Sequence, residues 1–221
     1  MAFFRGPNIV TDGLVFAVDA ASPKSYPGTG TTAYNLVANN DISLINGLGW
    51  QSGNGGYFSS DGTDDGMTTP DATNLDLVDF TLEGWVWWDQ HKNYGSFLVK
   101  GPGGSGNLFN YSFFGYATTV SFGYGDGSNY RATSISSPAI NEWHHIMGTY
   151  DGSTLKFYLN STLTSSVTTS ATPNQNNDAL QILQSNYSID GRIGCARVYN
   201  RALTSAEVTQ NFNAQKTRFG L

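Results

Sequence analysis

Apolar and polar positions alternate with a period of two through residues 143–160, a pattern typical of paired β-strands. Asp151-Gly152 divides this segment, and Asp-Gly between alternating runs is a strong hairpin signal because both residues tolerate a positive φ. In the second run Leu155, Phe157 and Leu159 share one face. The pattern therefore predicts an antiparallel hairpin with one face on a core and the other face polar.

Short apolar runs separated by Gly, Asn, Asp or Pro turns recur along most of the chain, without a βαβ rhythm. This arrangement predicts an all-β fold, a two-sheet antiparallel β-sandwich of the jelly-roll type. The predicted strands cover residues 13–20, 42–45, 57–60, 80–88, 96–100, 108–115, 119–124, 130–134, the 143–160 hairpin, 180–183 and 191–199.

One short helix is predicted near the C-terminal end of the sequence. Residues 204–207 fit a capping box, in which the Thr204 hydroxyl accepts from the Glu207 amide while the Glu207 side chain reaches back. Val208 and Phe212 would then lie on one apolar stripe of the helix.

The 221-residue chain is long enough for one well-buried core, since a domain of this size buries about 70 % of its unfolded surface. Glycine is abundant at 26 residues and only 13 % of residues are charged, which favours short strands over helical bundles. No repeat, linker or composition break is visible. We therefore expect one domain over residues 13–221, preceded by an arm over residues 1–12.

The formal net charge of −6 argues against a nucleic-acid partner, because phosphate binding requires a basic face. The sequence contains no apolar run of about 18 residues, so no membrane partner is expected. The single Cys195 excludes an internal disulfide. Cys195 lies in an apolar run and is expected to be a small buried hydrophobe.

Four ordered segments carry motifs of a known family. They are GLVFAVDAASPKSYPG at 13–28, FSSDGTDD at 58–65, FTLEGWV at 80–86 with WHH at 143–145 and YDG at 150–152, and GRIG at 191–194 with RVYNRALT at 197–204, EV at 207–208 and NF at 211–212. On these motifs, which span nearly the whole chain, the protein resembles the concanavalin A-like or laminin G-like jelly-roll family. The resemblance implies the same sandwich that the strand pattern predicts.

The first of these segments and residues 211–221 resemble, more specifically, stand-alone jelly-roll proteins of tailed bacteriophages, especially phages of marine bacteria. Such proteins lie on the virion as head decorations or as tail and fibre parts. The resemblance therefore implies a virion protein assembled in the host cytoplasm, with capsid or tail proteins as partners. Phe3 and Phe4 would supply an apolar anchor to such a partner, and a homotrimer would suit a fibre or a capsid three-fold position.

Three carboxylates crowd one predicted turn, at Asp61, Asp64 and Asp65. Oxygen ligands grouped on a loop are what Ca²⁺ uses, so this turn is the candidate calcium site. The alternative is an Asx-turn cap at Asp61-Gly62 with solvated neighbours. Where the family often has Asn-Gly-Asn, residues 37–41 lack glycine, which removes places where backbone carbonyls could approach a metal.

Aromatic side chains offer the main binding hypothesis, because sugars stack on aromatic faces. Trp85 and Trp87 share one face of the longest predicted strand, and Tyr124 and Tyr130 lie among Gly-rich turns. These four are the candidate carbohydrate-binding residues. The alternative is that their rings fill the space between the two sheets or an interface between subunits.

Candidate catalytic groups are scarce. Glycan hydrolysis needs two carboxylates about 5–10 Å apart, and no Glu-x-Asp-x-Glu pattern occurs; the longest strand offers Glu83. His144 and His145 are adjacent, so on a strand they point to opposite faces and cannot share a metal or a nucleophile. We therefore expect no catalytic residues and no enzyme activity.

The expected function is a non-enzymatic phage virion protein, as capsid decoration or as tail or fibre component, that also adheres to host-surface glycans. The alternative is a lectin-like carbohydrate-binding module for which sugar affinity is the main purpose. A glycoside hydrolase is the third possibility, and it would depend on Glu83.

Overall fold

In the computed structural model, which describes residues 7–38, 40–104, 106–184 and 187–221, two antiparallel sheets pack face to face beside one short α-helix. The prediction of an all-β two-sheet sandwich with a C-terminal helix is confirmed. The described strands are, in chain order, β1 (Leu14–Asp19), β2 (Thr32–Tyr34), β3 (Asp41–Ile45), β4 (Gly49–Gln51), β5 (Tyr57–Asp61), β6 (Gly66–Thr69), β7 (Phe80–Gln90), β8 (Gly95–Lys100), β9 (Tyr111–Gly115), β10 (Thr119–Gly125), β11 (Tyr130–Ser136), β12 (Trp143–Tyr150), β13 (Thr154–Leu159), β14 (Thr162–Thr168), β15 (Leu180–Ile182) and β16 (Asp190–Tyr199).

The strands divide into two eight-stranded sheets. Sheet A has the order β14-β13-β12-β7-β16-β5-β4, and β1 pairs with the second half of β16 beside β5. Sheet B has the order β11-β10-β9-β8-β15-β6-β3-β2. Four 3₁₀ turns lie in the described chain, at Gly53–Gly55, Thr73–Leu75, Gly106–Leu108 and Lys216–Phe219.

The core lies between the sheets and is rich in phenylalanine. On the inner face of β7, Phe80, Leu82 and Val86 are fully buried. Gly84 interrupts this row because Phe97 of sheet B occupies its space: a Cβ on Gly84 would lie 2.0 Å from the Phe97 ring. At this position the two sheets pack with close shape complementarity, in addition to the burial of apolar surface.

The outer face of sheet A is covered by the C-terminal segment, which comprises α1 (Ser205–Gln215) and the 3₁₀ turn Lys216–Phe219. The predicted capping box is present, since the Thr204 hydroxyl accepts from the Glu207 amide and Glu207 accepts from the Thr204 amide. Sheet A therefore has apolar side chains on both faces.

The predicted hairpin is β12–β13, with Tyr150 opposite Leu155. Leu155 and Phe157 point into the core as expected. The opposite face differs from the prediction, because Tyr158 is buried in a cluster beneath α1. In the turn, Gly152 alone takes a positive φ (83°), and the Asp151 carboxylate instead accepts hydrogen bonds from the Ser153 and Thr154 amides.

Residues 7–12, the described part of the predicted arm, lie against α1. The Val10 amide donates to the Asn211 side chain at 2.8 Å, and the Val10 side chain is buried beside Leu203 and Val208. Asp12 forms an ion pair with Arg201 at 2.8 Å. The division of the chain at residue 12 stays a prediction.

None of the helices in the described residues is both long enough and apolar enough to span a membrane.

Candidate functional site

An open groove of about 670 Å³ crosses the outer face of sheet B, and we call it the aromatic groove. This volume lies within the range of ligand pockets, about 300–1,000 Å³. The residues that line it are Tyr94, Gly104, Gly106, Asn107, Phe109, Phe114, Tyr116, Ser128, Tyr130 and Tyr187.

Aromatic rings form a continuous row along the groove. Phe114, on the outer face of β9, lies 5.5 Å from Tyr116 and 6.4 Å from Phe109 between ring centroids. Phe109 in turn lies 6.4 Å from Tyr130, and Tyr94 lies 5.5 Å from Tyr116. Tyr94 and Tyr116 are 53 % and 41 % exposed, so apolar ring surface faces solvent here. Exposed apolar surface in a concave site is typical of ligand binding.

Close backbone packing builds one wall of the groove. Gly106 lies on the Tyr130 ring, where an added Cβ would be 3.3 Å from the ring. A Cβ on Gly125 would lie 2.1 Å from the Asn107 backbone, so the wall can approach β10 only because position 125 is glycine. The Tyr130 hydroxyl hydrogen-bonds the Ser112 hydroxyl at 2.9 Å, which fixes the ring at the groove edge.

The lining of the groove is aromatic and uncharged. Apart from the aromatic rings and the hydroxyl groups of its tyrosines, its described lining offers the Asn107 amide, the Ser128 hydroxyl and glycine backbone. None of the described lining residues carries a carboxylate, an ammonium or a guanidinium. Such a surface can stack on a planar apolar face of a ligand and hydrogen-bond to hydroxyl groups, but it cannot pair with a charged group.

Two of the predicted sugar-binding rings are buried elsewhere. Trp85 lies under the C-terminal segment, stacked on Phe219 at 4.3 Å and on Phe212 at 5.8 Å. Tyr124 lies between the sheets and donates its hydroxyl proton to the Ala171 carbonyl at 2.6 Å. Contrary to the prediction, neither ring has a free face for a sugar, because the C-terminal segment covers Trp85 and the core surrounds Tyr124.

The other two predicted rings remain partly accessible. Trp87 lies on the outer face of sheet A, where the Arg192 guanidinium covers its ring at 4.5 Å and Asp89 accepts its indole proton. Tyr130 lines the aromatic groove. Its role in sugar binding stays a prediction. The anchor residues Phe3 and Phe4 lie outside the described residues.

Sequence reasoning missed most of the groove. Phe109, Phe114 and Tyr187 were not candidates, since nothing in their local patterns marks a shared site. One signal was available: in the Tyr111–Gly115 strand, aromatic side chains occupy both faces, so Phe114 must point away from the core that Phe113 enters.

The Asp61, Asp64 and Asp65 side chains do come together, with ligand oxygens within 4.8 Å of one another. Asp65 accepts a hydrogen bond from the Asp61 amide at 3.0 Å, and Asp61 accepts from the Thr63 amide at 2.8 Å, so the predicted Asx turn is present. Burial, together with repulsion from Asp61 and Asp64, raises the pKa of Asp65. Three hard oxygen donors so close would suit Ca²⁺, and calcium binding stays a prediction.

Glu83 is fully buried beneath the C-terminal segment. Its carboxylate accepts hydrogen bonds from Arg197 at 2.9 Å, His145 at 3.0 Å, Asn211 at 2.8 Å and Tyr199 at 3.2 Å. Burial alone would raise the pKa of Glu83, but Arg197 and these hydrogen bonds hold it at about 2. Glu83 is therefore an ionised structural group that a substrate cannot contact in this structure.

The histidine pair and the cysteine also have structural environments. His145 faces Glu83 beneath the C-terminal segment, whereas His144 faces the Ala139 carbonyl at 2.9 Å, so the two point to opposite faces as predicted. Cys195 is fully buried, as predicted, and burial raises the pKa of its thiol to about 12. A thiol so rarely ionised is a poor nucleophile.

A family model described as the concanavalin A-like lectin/glucanases superfamily matches residues 61–209. No curated protein sequence gives a significant match.

Solved structures share the fold at low identity. One such structure is of botulinum neurotoxin type C, whose cell entry depends on interaction with two ganglioside molecules. Its TM-score is 0.72 at 12 % identity, and the match covers 92 % of this chain and 51 % of that one. The binding domain of Paraclostridial Mosquitocidal Protein 1 has a TM-score of 0.70 at 15 %, covering 91 % and 52 %. Trypanosoma rangeli sialidase with the inhibitor DANA has a TM-score of 0.69 at 17 %, covering 98 % and 36 %. The chain thus spans about half of the toxin chains and about a third of the sialidase.

Proposed function

Because the chain belongs to the concanavalin A-like lectin/glucanase superfamily, we propose that it is a carbohydrate-binding domain that holds a glycan in the aromatic groove of sheet B. The observation that carries this proposal is the row of rings from Tyr94 and Tyr116 through Phe114 and Phe109 to Tyr130. Half-exposed rings lining a concave surface can stack on the apolar faces of sugars, and Asn107 can fix hydroxyl groups.

The uncharged lining supports neutral glycans as the ligand class. A sialic acid or sulfate placed in this groove would lose hydration without gaining a cationic partner, which is unfavourable. The net charge of −6 adds a repulsive field for anionic sugars. Neutral oligosaccharides avoid both costs.

Glycan-array screening followed by titration calorimetry tests the proposal, with matched neutral and sialylated oligosaccharides. We expect neutral ligands to bind and Tyr116→Ala to weaken binding about tenfold, or ~1.4 kcal/mol, since truncating a central aromatic contact typically costs this much. Tyr34→Ala is the matched control, because Tyr34 is 45 % exposed on β2, outside the groove lining. An equal loss in both variants, or no binding at millimolar sugar, would contradict the proposal.

Binding is favoured over hydrolysis within this superfamily, whose description includes glucanases. Hydrolysis needs a pair of carboxylates beside the sugar, and none of the described groove residues is acidic. Glu83, the acid on which a hydrolase would depend, is sealed on the far side of the sandwich. Release of reducing ends from a polysaccharide bound in the groove would overturn this choice.

The virion setting is a proposal that rests on the sequence resemblance to phage jelly-roll proteins. In that setting the domain would present its groove to host-surface glycans, as a capsid decoration or as part of a tail or fibre, with other virion proteins and a homotrimeric assembly as partners. Deletion of residues 1–6 tests the Phe3 and Phe4 anchor without removing Val10, which contacts α1. If the shortened chain still joined purified virions, the anchor proposal would fail.

A further inference from the structure

A buried lysine closes one end of the sandwich. Lys100, the last residue of β8, is fully inaccessible, and its ammonium lies among oxygens of two connecting segments. It donates to Asp71 Oδ1 at 2.8 Å, to the Asn176 carbonyl at 2.8 Å and to the Asp178 carbonyl at 3.1 Å. Asp76 Oδ1 lies 2.9 Å from Nζ. We call these four residues the oxygen cage.

The oxygen cage has more ligands than an ammonium can use. Nζ donates its three protons in hydrogen bonds to Asp71, Asn176 and Asp178. The buried Asp76 Oδ1 therefore has an ion-pair contact with Nζ but no hydrogen bond. The cage also carries two carboxylates against one positive charge. Hard oxygens in excess, two of them anionic, form the donor set that Ca²⁺ takes in proteins.

The cage is connected to the aromatic groove by hydrogen bonds. Asn176, held by Lys100 through its carbonyl, donates its side-chain amide to the Leu108 carbonyl at 3.0 Å. Asn174 donates to the same carbonyl at 2.8 Å. Leu108 ends the 3₁₀ turn that contributes Gly106 and Asn107 to the groove wall. The position of that wall therefore depends on the segment that Lys100 holds.

We propose that Lys100 is an internal cation that occupies a calcium-like oxygen cage and positions the wall of the aromatic groove, so that groove geometry needs no metal ion. The groove part of this inference rests on the proposed function, whereas the cage part does not. Lys100 is a positioning residue, since it lies outside the groove lining.

The Lys100→Ala variant removes the ammonium from the oxygen cage. Without the ammonium, the cage holds two unpaired carboxylates and a space, so the variant should lose stability in EDTA and should bind Ca²⁺. At a calcium concentration about 100 times its Kd, the melting temperature should rise by roughly 5–10 °C. Lys156→Ala is the matched control, because Lys156 is a half-exposed lysine on β13, away from the cage.

The outcomes are separated by thermal unfolding in EDTA, Mg²⁺ or Ca²⁺. The proteins compared are the wild type, the single variants Lys100→Ala and Lys156→Ala, and the double variant Lys100→Ala/Asp71→Asn. Supporting results are a calcium-dependent rise in Lys100→Ala beyond that of the wild type, and its loss in the double variant. An equal rise in all variants would assign calcium to another site and overturn the inference. If Lys100→Ala is insoluble, preparation in calcium decides: recovery supports the cage, and failure in both conditions contradicts it.

Oligosaccharide titration of the same proteins then tests the link to the groove. Lys100→Ala should bind a neutral oligosaccharide at least about fivefold more weakly in EDTA than the wild type, and calcium should restore its affinity. Wild-type binding should be unchanged by EDTA. If the calcium response appears but the wild type binds no sugar, the cage stands and the proposed function fails. If sugar affinity is normal in Lys100→Ala, the link to the groove is wrong.

Discussion

Removing the charge of Glu83 should destabilise the protein without affecting its groove. In Glu83→Gln the shape is kept, but the amide brings two donors into a site where Arg197 and Asn211 already point donors at the same atoms. Arg197, which is 3 % exposed, would retain Asp19 at 3.7 Å as its remaining carboxylate neighbour. A buried cation short of its partner is costly.

The size of the effect follows from the pKa of Glu83. A shift from the ordinary 4.5 to about 2 corresponds to roughly 3 kcal/mol of preferential stabilisation of the carboxylate. This agrees with the 3–5 kcal/mol typical of a broken buried pair. For a chain of this length we expect the melting temperature to fall by about 6–12 °C at pH 7.

The pH dependence gives a second measurement of the same quantity. Because the folded-state pKa is lowered, Glu83 stabilises the protein fully above about pH 4.5, and this contribution is lost as the pH falls toward 2. Urea unfolding of the wild type between pH 7 and pH 3 should therefore show an acid loss that is smaller in Glu83→Gln. Glu142→Gln is the matched control, since the Glu142 side chain is 61 % exposed.

A loss below about 1 kcal/mol in Glu83→Gln, or an unchanged acid profile, would refute this account of the buried carboxylate. The double variant Glu83→Gln/Arg197→Met refines the test, because removal of both charges should cost less than the sum of the single changes. Sugar binding at pH 7 should persist in Glu83→Gln, as the groove lies on the other sheet.

Three further predictions concern other parts of the fold. Gly84→Ala should cost about 1–3 kcal/mol in urea unfolding, because its methyl group would meet the Phe97 ring; a change within 0.5 kcal/mol would contradict the close approach. Phe219→Ala should cost about 3–5 kcal/mol by uncovering Trp85, and a melting temperature equal to that of the wild type would exclude this role. Asp65→Asn should raise the melting temperature at neutral pH in EDTA, because the raised pKa of Asp65 means that its ionisation destabilises the folded state. If the turn binds calcium, the ion should stabilise the wild type more than this variant. A lowered melting temperature in EDTA would contradict the repulsion among the three carboxylates.

The sandwich was predictable because its signals are local. Alternation of apolar residues and the Asp151-Gly152 turn specify the hairpin, and the capping box specifies where α1 begins. The burial of Trp85 was not predictable from its strand, because it depends on Phe219, 134 positions away in a segment whose docking no local pattern reveals. Contacts between residues far apart in the sequence thus determine that the outer face of sheet A is covered.

The groove was less predictable than the fold. Tyr130 was a candidate, but the rings beside it come from β9 and from the loops before β8, β9 and β16. Only tertiary packing brings Phe109, Phe114 and Tyr187 together. Period-two alternation cannot distinguish an outward ring that lines a groove from an inward ring such as Tyr124. Lys100 likewise carries no sequence mark, since its four oxygen partners lie in two other segments.

The confinement of tryptophan to sheet A gives the molecule an optical signal that is separate from the groove. All five tryptophans, at positions 50, 85, 87, 88 and 143, lie in strands β4, β7 and β12 of sheet A. The described lining of the groove on sheet B contains tyrosine and phenylalanine but no tryptophan. Tryptophan emission should therefore change when sheet A or the C-terminal segment unfolds, and it should stay constant when a ligand enters the groove. Loss of the fold can thus be recorded in an unlabelled sample without interference from a ligand in the groove.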